Sequence, residues 1–144
     1  NPLSVSASTL LVATTTTPSQ VDDTPQVVGF GQIRPLDAMY SELASLYVVP
    51  ELRDQGIGTR LVEELLIRFQ QDDPSHINMA VCLLTLQPTT KFYEKHGFRV
   101  TRDLEDLPSS IQLEFKAGTL VSGVLGNDLV CMVRDAGSSI ASSE

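Results

Sequence analysis

Residues 53–59, Arg53-Asp54-Gln55-Gly56-Ile57-Gly58-Thr59, are where residue type and spacing point most directly to chemistry. Arg-x-x-Gly-x-Gly follows an apolar run that Pro50 stops (Leu46-Tyr47-Val48-Val49-Pro50) and opens an amphipathic one. That arrangement describes a phosphate cradle at a helix N-terminus. Two glycines two apart remove the side chains that would hold a diphosphate away from the backbone. The first free N–H groups of the helix then point at the anion, with the favourable end of the helix dipole behind them. No Lys-Ser/Thr pair follows the glycines, so a triphosphate-binding loop has little support.

The elements that must hold this cradle can be read on either side of it. Leu3 to Thr14 is β-branched and partly alternating, which predicts a strand, and the Thr-rich residues 15–26 predict a long hairpin loop. Val27 to Arg34 and Glu42 to Val49 predict two more strands, completing an antiparallel meander. From Ile57 to Gln71 the apolar residues Leu61, Leu65, Leu66 and Phe69 recur at helical spacing, with Glu64 four residues before Arg68. Asp72-Asp73-Pro74 breaks that helix, and Ile77 to Leu86 predicts a strand buried on both faces. Strand, helix and strand in this order imply a right-handed crossover. Gln87 to His96 predicts a short helix with Pro88 in its first turn and Gly97 at its C-cap. Phe98-Arg99-Val100 resumes a strand, residues 108–122 suggest a helix without a clean period, and Asp128 to Val133 makes a last strand. Residues 1–136 therefore read as a single domain, and 137–144 as a small, polar, flexible tail.

Composition narrows the classes. At 144 residues the chain suits one core, burying about two thirds of its unfolded surface. Hydrophobic residues make up 42% and charged residues 19%, which indicates neither disorder nor a membrane protein. No run reaches the ~18 apolar residues a membrane helix requires. Ten basic residues against 18 acidic give a net charge of −8, the wrong sign for nucleic acid. A cationic small molecule or basic peptide suits that charge, although net charge as readily serves solubility. Cys82 and Cys131 lie in apolar runs as small hydrophobes, which suits a reduced intracellular compartment. His76 and His96 have no metal-ligand spacing to the cysteines, so no metal site is expected. The first residues carry no basic region, apolar run or initiator Met that would mark an intact secretory signal. The cytoplasm is the expected location, or an organelle such as a plastid with its targeting peptide removed.

With the strand, Arg53-x-x-Gly56-x-Gly58, the helix and then Phe92-Tyr93-Glu94-Lys95-His96-Gly97-Phe98 in order, residues 27–103 resemble the GNAT superfamily of acetyl-coenzyme A-dependent N-acetyltransferases. The resemblance implies an α/β (α+β) fold: a mixed, mostly antiparallel sheet flanked by helices, whose parallel central strands, here Glu42 to Val49 and Ile77 to Leu86, splay apart. It implies that the pantetheine arm of acetyl-coenzyme A lies in that gap as an added strand, on the main chain of Leu46, Tyr47 and Val48. The diphosphate would sit on Arg53, Asp54, Gln55, Gly56, Ile57, Gly58 and Thr59, with Phe92 as apolar coenzyme-contacting surface. Acetyl-coenzyme A is then the cosubstrate and a primary amine the acceptor, either a small amine or a protein lysine or N-terminus. Nucleic-acid and membrane partners are not expected. A second copy could pair on the last strand or on residues 108–125, as dimers in the family imply.

Direct transfer to an amine needs a base and often an acid. Glu42, eleven residues before Arg53, matches a glutamate that is catalytic in some family members. Strand alternation places it on a face with Ala44, Leu46 and Val48, where an apolar setting would raise its pKa; the alternative is a solvated or ion-paired glutamate at a strand end. Tyr93, the tyrosine of Tyr-x-x-x-Gly-Phe, is the candidate acid, or else an aromatic packed beneath the coenzyme. Two departures from the family stand out. Leu86, with Gln87 and Thr89 nearby, occupies the place of an asparagine that often bonds the pantetheine arm. The strand and two helices that usually precede residues 3–14 are also missing. Either the chain is a shortened form, or residues 104–125 or a second subunit close the acceptor site. A non-catalytic coenzyme A-binding or interaction module is the rival reading.

Overall fold

In a computed structural model the described residues are 10–15, 25–125 and 128–139. Six strands form one sheet in the order β1-β2-β3-β4-β6-β5. They are β1 (Leu10–Thr15), β2 (Gln26–Pro35), β3 (Tyr40–Val48), β4 (Ala80–Leu86), β5 (Arg99–Thr101) and β6 (Leu129–Arg134). Helix α1 (Ile57–Asp72) carries the chain from β3 to β4, the short α2 (Thr90–Glu94) lies between β4 and β5, and α3 (Ser109–Leu125) between β5 and β6. All neighbouring strands are antiparallel except β3 and β4, which are parallel. The meander, the crossover and the mixed sheet expected from sequence are all present. No helix among the described residues is long and apolar enough to cross a membrane.

Several boundaries differ from the sequence expectation. The expected strand at Leu3 to Thr14 is described only from Leu10; its first residues, and residues 16–24 of the expected hairpin loop, lie outside the described residues. Strand β4 starts at Ala80 instead of Ile77. Pro74–Asn78 forms a 3-10 turn whose Asp73 carboxylate accepts from the Ser75 N–H at 2.9 Å, so the apolar Ile77 falls in a turn. The helix expected over Gln87 to His96 divides into a 3-10 turn at Gln87–Thr89 and α2. At the start of the expected tail, the Gly137 N–H donates to Ile77 O at 2.8 Å and Arg134 Nη2 to Ser138 O at 3.1 Å.

Each face of the sheet has its own core. Against α1 lie Ile33, Leu43, Val81, Leu83, Phe98 and Met132, packed on Val62, Leu65, Leu66 and Phe69. The apolar stripe read on α1 is therefore what holds it to the sheet. Approach is close there: a methyl group on Gly31 would lie 2.8 Å from Leu65 Cδ1 and 3.0 Å from Leu46 Cδ1. On the other face Cys82, Cys131 and Val133 are covered by Leu107 and Ile111, with Phe115 packed alongside. Residues 104–125 thus cover the face opposite α1.

Candidate active site

Strands β3 and β4 pair only at Tyr40↔Ala80, Ser41↔Val81 and Glu42↔Cys82. Beyond that point β3 stays with β2 as far as Val48, and β4 stays with β6 as far as Leu86. The two strands therefore diverge from a vertex at Glu42, leaving an edge of each facing a gap. The ladder shows which groups of β3 face it. The Val49 N–H donates to Val28 O at 2.8 Å, so in the antiparallel alternation the N–H and C=O of Val48 point away from β2. Arg53 Nε donates to that Val48 carbonyl at 2.9 Å, and its guanidinium carbon lies 5.5 Å from the centroid of the Tyr47 ring. Tyr47 in turn packs on Phe30, with ring centroids 5.6 Å apart.

At the open end of the gap, Pro50–Leu52 makes one 3-10 turn, and Asp54 and Gly56 take left-handed backbone conformations, φ 65° and 85°. The second suits glycine, and it sets Gly56 as the N-cap of α1 with no side-chain cap bond. The first intrahelical bond runs from the Arg60 N–H to Gly56 O at 3.1 Å. The N–H groups of Ile57, Gly58 and Thr59 precede that bond and have no partner within the helix. A methyl on Gly58 would meet Phe92 Cζ at 3.4 Å and Val48 Cγ2 at 3.8 Å. The end of β3, the start of α1 and Phe92 of α2 thus converge on one spot. The residues present fit a diphosphate there: amides without intrahelical partners, no side chain on Gly56 or Gly58, and a guanidinium alongside.

The expectation that Glu42 shares a face with Leu46 and Val48 is not met. Phe30 pairs with Tyr47 and Gln32 with Ala44, so β3 spends three residues where β2 spends two. The extra residue makes a bulge, with Ser45 in the left-handed region at φ 59°. The bulge turns Leu46 to the α1 side, where Leu43 also lies. Glu42 faces the other way, toward Cys82 and Cys131, whose thiol pKa values burial raises first and the charge of Glu42 raises further. Glu42 is only 6% exposed. Arg34 Nη2 donates to its Oε2 at 3.0 Å, so the setting is an ion pair, the alternative given above for this residue.

Tyr93 is brought to Phe92 rather than to Glu42. Its ring sits edge-on to Phe92 at 4.9 Å and to Phe98 at 5.9 Å, against the α1-side core. Burial pushes the phenol pKa up. His96 also packs edge-on to Phe92; its buried Nε2 has no hydrogen-bond partner, and burial lowers its pKa. Near the departure at Leu86, the Thr89 hydroxyl is used locally, donating to Leu86 O at 2.8 Å beside the Thr85 hydroxyl. The sequence reading missed two charged residues near Glu42: Arg34 and, on α3, Glu114, whose Oε1 lies 3.6 Å from Arg34 Nη2. Arg34 was detectable only through the antiparallel register that sets it opposite Glu42. Nothing in the sequence signals Glu114. A groove of about 870 Å³ runs between β1 and α1 past Leu10, Ile33, Glu64, Arg68 and His76, away from the cradle.

The acetyltransferase (GNAT) domain family matches residues 8–100, and the chain belongs to that acetyltransferase family. Among solved structures it is similar to N-acetylglutamate synthase from Neisseria gonorrhoeae complexed with coenzyme A and N-acetyl-glutamate: 20% identity, TM-score 0.57, covering 76% of this chain and 23% of that one. It is also similar to Rv2747 from Mycobacterium tuberculosis in complex with CoA, at 23% identity, TM-score 0.56, and 87% and 74% coverage. A GNAT-family acetyltransferase from Staphylococcus aureus Mu50 matches at 22% identity, TM-score 0.54, and 76% and 60% coverage. At these identities the likeness is one of fold, and the chain spans less than a quarter of the Neisseria chain. No curated protein matches.

Proposed function

We propose that this chain is an N-acetyltransferase that binds acetyl-coenzyme A in the gap between β3 and β4 and passes the acetyl group to a primary amine by direct attack in a ternary complex. Family membership supports acetyl transfer. One geometric observation supports the site: strands that pair at Glu42 and Cys82 diverge toward helix amides left without intrahelical partners. The pantetheine arm would lie along the Val48 edge, with the diphosphate on residues 53–59 and Phe92 beneath. The amine nitrogen attacks the thioester carbonyl and the carbon–sulfur bond breaks. Glu42 takes the nitrogen's proton, and Tyr93, a phenol kept protonated by burial, supplies one to the departing thiolate. The reading as a non-catalytic module rests on the missing N-terminal strand and helices; against it, residues 104–125 cover the sheet face opposite α1 and are available to close the acceptor site in their place.

Thiol release from acetyl-coenzyme A, scored over small amines, amino acids and basic peptides, tests the proposal. Glu42→Gln should lower turnover ~10²-fold or more while leaving the acetyl-coenzyme A KM unchanged. Tyr93→Phe should lower kcat with the same KM. Full turnover in Glu42→Gln removes that residue from the chemistry, and no acceptor in any class overturns the reading.

A further inference from the structure

Three charged side chains from three elements meet at the vertex of the gap. Arg34 of β2 lies 3.0 Å from Glu42 Oε2 and 3.6 Å from Glu114 Oε1, both measured from the same nitrogen. The first distance is a hydrogen bond; the second is an ion pair just beyond one. The Glu42 side chain is 8% exposed, whereas Arg34 and Glu114 are 45% and 44% exposed. The buried member is thus fixed, and the guanidinium that holds it is long, half in solvent and within reach of another carboxylate.

We propose that Glu114 is a positioning residue for Glu42: by offering Arg34 a second carboxylate, it lets the guanidinium leave Glu42 free to meet a cationic amine. This rests on the N-acetyltransferase reading and adds an acceptor class and a role for α3. The charge count gives the direction. Two carboxylates share one guanidinium, so the vertex is one positive charge short when both are ionised. Burial raises the Glu114 pKa, and the charge of Glu42 and a hydrogen bond with it raise it further, so Glu114 holds a proton more readily than an ordinary glutamate. An ammonium at the vertex supplies the missing positive charge. Glu114, half in solvent, then gives up its proton to water and takes Arg34, and Glu42 Oε2 is released to accept the ammonium's proton. The charge of Glu42 also reaches the thiols of Cys82 on β4 and Cys131 on β6; burial first, and then that charge, push their pKa values up to about 12 and about 11, so both stay neutral under assay conditions. An acidic acceptor would instead face two carboxylates.

The test compares Glu114→Gln and Glu114→Asp with the wild type, on the amine the wild type turns over best. KM and kcat are measured for each substrate separately, between about pH 5 and 9. Glu114→Gln should raise the amine KM ~10-fold and move the acidic limb of kcat/KM, with acetyl-coenzyme A KM and Tm unchanged, since a half-exposed ion pair adds little stability. Glu114→Asp should restore most of the loss. An unaltered amine KM and pH profile, or an equal rise in both KM values with a lower Tm, would overturn the role of Glu114 while leaving the enzyme reading intact. A wild type that acetylates no amine overturns both.

Discussion

The thiols of Cys82 and Cys131 act at the residue scale, and their effect is on stability. Burial is the first cause in both cases, raising Cys82 to about 12 and Cys131 to about 11. Both are acids with raised folded values. The unfolded chain gives up these protons near pH 9 and the folded chain keeps them, so stability is intact below about pH 9 and falls as pH rises toward 11 to 12. Urea midpoints measured across that range should decline less steeply in a Cys82→Ala/Cys131→Ala double variant, whatever its stability at neutral pH; parallel slopes would rule the thiols out. At this scale the turn and helix start expected at residues 53–59 were legible, because Gly56 and Gly58 act through local backbone geometry. The surroundings of Glu42 were not. Arg34 reaches it across a strand pair and Glu114 from a helix 72 positions later, and local sequence encodes neither contact.

Among the elements, β3 departs most from its reading. Alternation predicts one face for Glu42, Ala44, Leu46 and Val48, but the bulge at Ser45 inserts a residue and exchanges the faces beyond it. A serine can occupy the left-handed region; a β-branched residue does so at a cost of about 1–2 kcal/mol. Ser45→Val should therefore lower Tm and raise the acetyl-coenzyme A KM, because it pulls Leu46 to Val48 out of place, while Ser45→Gly should keep both near wild type. Equal behaviour of the two variants would show that the bulge does not set this edge. Helix α3 was hard to read for a different reason. Its inward residue Ile111 is buried, but Leu113, Leu120 and Val121 are 70%, 76% and 62% exposed, so apolar residues occur around the whole helix and blur the period.

For the molecule as a whole, the sheet divides the labour. The α1 face anchors the crossover helix whose N-terminus forms the cradle, and the opposite face carries Glu42 under α3. The mixed sheet and its parallel pair were legible because strand, crossover helix and strand allow one handedness. The covering of the second face was not, since it depends on a long-range return of the chain. Helix α3 enters after β5 and leaves before β6, and it meets the candidate site through Glu114, at the vertex. On the proposed reading this segment closes the acceptor site, and it could then be exchanged as a cassette, as an antibody is re-specified in its loops. Exchanging residues 104–125 for the matching segment of another family member should switch which amine is acetylated and leave the acetyl-coenzyme A KM within about 2-fold, as measured by steady-state kinetics. Donor chemistry and acceptor choice would then be inherited through separate stretches of the same polypeptide.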